Sequence, residues 1–153
     1  MALVTVASAN ELKALAGQEI GVTDWLEVTQ ERINQFADAT GDHQWIHLDQ
    51  GRAEKESPYG TTIAHGFLTL SLVSQFIRET VEFAGLRMAI NYGLNRVRFP
   101  AAVRSGSKVR ARVVLQGVKD LTDGLEAVYL ITVENDKSDK PCCVAEWVVR
   151  YYW

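Results

Sequence analysis

The sequence predicts an α+β fold in which a curved antiparallel sheet wraps around a long central helix. Three observations lead there. Phe67, Leu70, Leu72, Val73, Phe76, Ile77 and Val81 cover much of the circumference of one helical stretch, so that helix is enclosed and does not lie on a surface. Every segment after it is rich in β-branched and aromatic residues. The pairs Asp123-Gly124 and Asn135-Asp136 supply turns between the later segments, the first matching a hairpin signal.

Along the chain, Ser8 followed three residues later by Glu11 is a capping-box pattern, and Gly17 marks the stop of a short helix. Residues 20–28 read as extended, with a turn near Thr23 and Asp24. Thr29 caps a helix through Thr40, whose Ile33, Phe36 and Ala37 share one face and which Gly41 ends. Residues 41–49 have neither helical nor strand periodicity and read as an ordered polar loop. A short turn or helix is expected over 50–54, then a loop holding Pro58 and Gly60. The central helix starts at Gly66 and runs to about Ala84, with Gly85 as its stop. Strands are predicted over 87–91, 94–99, 108–117, 125–134 and 142–151. A strongly bent open sheet leaves an edge that needs cover, so a side-by-side homodimer is expected.

The 153 residues are the size of a single domain, read over 1–153, and 47% hydrophobic residues suffice for an ordinary core. A net charge of −3 supplies no global basic field, so nucleic acid is not an expected partner. Arg96, Arg98, Arg104, Lys108, Arg110 and Arg112 alternate with apolar residues; they read as one solvated sheet face or as a dock for ligand phosphates. The neighbouring Cys142 and Cys143 match neither a bridge nor a metal-binding spacing, and a reducing cytoplasm is the simplest compartment. Neither a signal peptide nor a membrane span is expected, because no stretch has the required run of apolar residues.

Two of the three histidines, His43 and His47, fall in the polar loop, with Asp42 five residues before His47. Such a pair ties many loops together without doing chemistry. Here Asp42 follows a helix stop, and Asp and His are side chains whose protonation can be tuned for proton transfer near neutral pH. The stretch from Thr61 to Phe67 leads into the enclosed helix, where backbone N–H groups are unsatisfied and Gly66 lets a carbonyl oxygen come close. Gly66 reads either as relief of a tight junction or as an oxyanion site. His65 beside it is a ligand contact by position, although a structural role for its side chain is favoured.

The segment FADATGDHQWIHLDQGRA, residues 36–53, closely resembles the (R)-specific enoyl-CoA hydratase signature of the MaoC-like dehydratases. Phe36, Gly41, Asp42, Ile46, His47 and Ala53 carry the match. GTTIAHGFLTLSLVSQF, residues 60–76, is similar to the family's loop and central helix. NYGLNRVRFPAAVRSGSKVRARVVL, residues 91–115, is similar to its following strands. The family's Asn-Pro pair is Gln44-Trp45 here, a variant that resembles the nodulation-protein-N-like branch.

The resemblance implies a hotdog fold and the hydration of trans-2-enoyl-CoA to (R)-3-hydroxyacyl-CoA, or the reverse. It implies that Asp42 and His47 grip the water and that the Gly66 N–H holds the thioester oxygen. Gln44 would reach the catalytic groups through its amide. Thr62, Ile63, Ala64 and His65 would line the acyl and pantetheine entrance, with Asn91, Tyr92 and Gly93 opposite, and Arg98 would contact phosphate. The acyl-CoA is substrate, so no cofactor and no metal are expected, and some contacts would come from a partner chain. A hotdog acyl-CoA thioesterase is the alternative, but it would place an acid on the central helix, where only Glu79 stands, near the far end. A non-catalytic acyl-thioester binding module is the remaining alternative, and it has no need of an acid–base pair.

Overall fold

Strict alternation builds the sheet. In a computed structural model describing residues 3–153, every second residue of the strand Leu125–Asn135 is buried, and Val109, Ala111, Val113 and Leu115 repeat the pattern on Lys108–Asp120. One face of each strand therefore meets the core, as period-two patterning requires.

In chain order the elements are β1 (Val4–Val6), α1 (Ala9–Lys13), β2 (Glu19–Val22), β3 (Leu26–Glu27) and α2 (Gln30–Thr40). Three short helices follow, α3 (Trp45–Leu48), α4 (Gln50–Glu56) and α5 (Gly66–Ser71), then α6 (Val73–Thr80). The chain continues as β4 (Val81–Phe83), β5 (Met88–Arg98), β6 (Lys108–Asp120), β7 (Leu125–Asn135) and β8 (Ser138–Tyr152). The main sheet is antiparallel in the order β2-β6-β7-β8-β5, with β3 also pairing β6. Helix α5 packs on β8 and α6 on β6 and β2, so the helical pair occupies the inner face.

The expected caps form. Ser8 accepts from the Glu11 N–H at 3.2 Å, Thr29 accepts from the Arg32 N–H at 3.1 Å, and Gly41 ends α2 at φ 79°. That left-handed conformation favours glycine.

Four expectations need correction. Residues 45–48 of the polar loop form the one-turn helix α3. The central helix is not continuous: at Leu72 (φ −67°, ψ −15°) the N–H is shared between the Leu68 and Thr69 carbonyls, a 3₁₀-like pinch that separates α5 from α6. It also stops at Thr80 and not near Ala84, because Val81–Phe83 switch to extended backbone and pair in parallel with Val4–Val6. Finally, residues 88–98 are a single strand, with register shifts near Gly93 and Arg96 absorbing what reads as a gap.

Gly124 is required by crowding and not by a left-handed turn. A Cβ there would lie 2.5 Å from the Tyr151 carbonyl oxygen, whereas its φ is not positive. Below the sheet, the fully buried Tyr129 hydroxyl meets that of Tyr151 at 2.7 Å. Burial pushes the thiols of Cys142 and Cys143 up to about 12 and about 11, which keeps them unreactive.

Among the described residues, strand β5 pairs only with β8, and its other edge is open. Met88, Ile90, Tyr92 and Leu94 are each at least 40% exposed there, forming a row of large, largely uncovered apolar groups among the described residues.

Candidate active site

The polar loop places its groups by way of caps. Once α2 ends at Gly41, the Asp42 N–H donates to the Thr40 hydroxyl at 3.4 Å, and Asp42 Oδ1 accepts from the Gln44 N–H at 3.3 Å. This Asx-type turn starts α3, which carries His47 inward. Gln44 therefore meets Asp42 through its backbone, and its side chain makes no cap.

The His47 ring is 8% exposed and donates from Nδ1 to the Ile63 carbonyl at 2.7 Å. With Nδ1 carrying the proton, Nε2 holds the lone pair, and that is the arrangement a general base needs. Burial moves the ring below its ordinary 6.5; the nearby His65 adds to the fall, while the Ile63 carbonyl and Asp42 oppose it. The net effect keeps His47 neutral at pH 7.

His65 stacks on His47 with centroids 3.8 Å apart and planes 25° off parallel, and Phe36 covers its other side at 4.9 Å. Its Nε2 donates to the Asp42 carbonyl at 3.0 Å, so the side chain locks the loop. His43 points elsewhere, to Asp38 at 3.1 Å on the surface, and that hydrogen bond raises its pKa.

Asp42, His47, His65 and Gly66 border one open cavity of about 500 Å³, rimmed by Phe67 and Phe99. Gly66 opens α5, so its N–H has no helical acceptor one turn back. A Cβ on Gly66 would press on the Phe99 ring at 3.3 Å, so the absent side chain is what leaves the backbone reachable. Ligating atoms of Asp42, His47 and His65 lie within 4.8 Å of one another. His47 Nδ1 and His65 Nε2 are already engaged with the Ile63 and Asp42 carbonyls, which leaves one nitrogen on each ring for other contacts.

The other expected contacts divide. Ile63 and Ala64 line a smaller hollow of about 190 Å³ that shares Gly66 and Phe99 with the main cavity. Thr62 is fully buried and donates to Gln30 Oε1 at 2.6 Å, so it faces away from that space. The structure does not bring Asn91, Tyr92 or Gly93 to the cavity of their own chain. Asn91 accepts from Trp147 Nε1 at 2.7 Å beside a separate apolar cavity, and Tyr92 lies under the Arg150 guanidinium at 3.6 Å. Arg98 donates to the Val97 carbonyl and borders a shallow hollow with Arg96 and Glu146. In the basic row, Arg110 and Arg112 are both paired with Glu134, at 2.6 and 2.5 Å.

Thr40, Phe67 and Phe99 also line the cavity, beyond the residues expected there. Phe99 stands in the Arg-Phe-Pro stretch directly after β5, a signal that was available. No helix among the described residues is long and apolar enough to cross a membrane.

Residues 11–135 match the model of the MaoC like domain. The chain is 53% identical over 148 residues to the 3-hydroxyacyl-thioester dehydratase Z of Mycobacterium tuberculosis, covering 96% of this chain and 97% of that one. It is 44% identical to Nodulation protein N of Rhizobium meliloti, over 92% and 89% of the two chains. Among solved structures, an R-hydratase from Pseudomonas aeruginosa superimposes with a TM-score of 0.71 at 22% identity, covering 88% of this chain and 79% of that one. The architecture is thus the hotdog fold.

Proposed function

The chain belongs to the MaoC-like dehydratase family, and we propose that it interconverts trans-2-enoyl-CoA and (R)-3-hydroxyacyl-CoA by adding or removing water. Hydration or dehydration of an acyl thioester is its reaction class, and it is a hydro-lyase. The observation that carries the finer reading is the shared cavity of Asp42 and His47 beside the start of α5.

In the hydration direction, His47 Nε2 takes a proton from water while the Asp42 carboxylate accepts the water's second hydrogen. The hydroxyl adds to C3, electrons move through C2 to the thioester oxygen, and the Gly66 N–H stabilises the charge that builds there. The imidazolium then returns its proton to C2 on the same face, so His47 ends as it began. The reaction is redox-neutral and uses no cofactor. Phe67, 70% exposed, and Phe99 form an apolar rim suited to the pantetheine arm.

The test is absorbance loss from crotonyl-CoA, followed by chiral analysis of the 3-hydroxybutyryl product. Pure (R) product is expected. Release of free thiol without hydration would instead mark a thioesterase.

A homodimer joined through β5 completes this reading. Antiparallel pairing of two copies would cover the exposed row at Met88, Ile90, Tyr92 and Leu94, and would carry Asn91 to Gly93 toward the partner's cavity. Sedimentation equilibrium should give twice the 17.1 kDa chain mass; a stable monomer would remove this part.

A further inference from the structure

The side chain of Gln30, on the first turn of α2, uses all of its hydrogen-bonding capacity. Its Nε2 donates to the His47 carbonyl at 2.8 Å and to Asn34 Oδ1 at 2.9 Å. Its Oε1 accepts from the Thr62 hydroxyl at 2.6 Å and from Gln50 Nε2 at 3.2 Å. A primary amide has two donor hydrogens and two acceptor lone pairs, so nothing is left over. The orientation is also fixed, because a carbonyl only accepts and the amino end must face His47.

These bonds join the two segments whose relative placement decides the state of the His47 ring. One is α3, held at the His47 carbonyl. The other is the 61–64 segment, held at Thr62, whose next residue, Ile63, accepts the ring's Nδ1–H. The same two segments meet directly where the Ile63 N–H donates to the Ile46 carbonyl at 3.1 Å. Thr62 has no exposure, so water cannot replace Gln30 there without the segment moving.

We propose that Gln30, acting with Thr62, is a positioning residue that sets the distance between His47 and the Ile63 carbonyl and so holds the imidazole with its lone pair on Nε2. Gln30 touches no reacting atom. It acts through the ring, and the inference rests on the reading of His47 as base.

The experiment uses the whole chain. Gln30→Met removes the amide at similar length, Thr62→Val removes the hydroxyl at similar volume, and the double variant combines them. Steady-state hydration of crotonyl-CoA and long-range 1H–15N spectra of the histidine rings are both recorded. Each single variant should lower kcat about 10-fold or more with KM within about 2-fold, and the double should be little worse than either, because the two act as one unit. The His47 ring nitrogens should move from a pure Nδ1–H pattern toward tautomer averaging. If Gln30→Met fails to fold, Gln30→Glu keeps its size and acceptors while losing both donors at neutral pH.

An unaltered His47 tautomer pattern in a folded variant overturns the proposal, as does kcat within about 2-fold of the parent. The ring spectra do not depend on turnover. Inactive parent protein with an intact tautomer response would sink the hydratase reading and its base, while the positioning of the His47 ring by Gln30 and Thr62 would stand without a catalytic consequence.

Discussion

Asp42→Asn and His47→Gln are each expected to lower kcat by on the order of 10²-fold or more while the protein stays folded. Asp42 is exposed, and its Oδ1 bond to the Gln44 N–H survives in asparagine, so what disappears is the charge that draws the water's hydrogen. Glutamine at 47 keeps a donor for the Ile63 carbonyl but brings no basic nitrogen. Because both residues act on one water, the double variant should be little worse than the poorer single. Circular dichroism checks folding and crotonyl-CoA hydration checks rate; turnover at the parent rate in both variants would end the assignment.

The His47 environment adds a sign that can be measured. Burial lowers its pKa, so the acid limb of kcat/KM should lie below 6.5 and should vanish from the residual activity of His47→Gln. The same shift acts on stability. The folded ring resists protonation more than the unfolded one, so below pH 6.5 the unfolded chain binds the proton first. Stability then declines as pH falls toward the folded value.

Phe76→Ala is expected to be the most damaging single truncation of the core. Phe76 has no exposure and sits on α6, between the inner sheet face and the β4 turn-off. Removing a buried ring costs about 3–5 kcal/mol, counting both lost transfer energy and the cavity left behind. For a chain of this length that corresponds to a fall in Tm of roughly 6–20 °C. Urea denaturation should show a lower midpoint at similar slope. A loss under about 1 kcal/mol would mean that α6 can collapse onto the sheet and is not held as described.

Elements with strong local signals were readable in the sequence. The second helix has a threonine cap, an apolar face and a left-handed glycine stop, all inside one window, and the structure reproduces it residue for residue. The elements that were missed depend on distant partners. Helix α3 is a single turn whose first flanking residue, Gln44, makes no side-chain cap, too short to show a periodicity, and β4 is extended because Val4–Val6 lie alongside it. The break at Leu72 is hidden because every residue across it is compatible with a continuous helix.

The site divides along the same line. Asp42, His47 and Gly66 are candidates through the loop, the helix start and above all the family resemblance, and the structure sets all three around one cavity. Gln30 could not be found, since an amide at the start of a helix looks like a solvated surface group until the loop 17 residues later folds over it. Asn91 to Gly93 lie on the edge strand β5, away from the cavity of their own chain, so no neighbour in the sequence marks them.

The pairing order sets a schedule for synthesis. Among the described residues, 88–98 have one neighbour in the sheet, and that neighbour is residues 138–152. A nascent chain therefore leaves the backbone groups of β5 without a strand partner from the moment it leaves the ribosome until β8 follows, a window in which chaperone capture or premature association competes with closure.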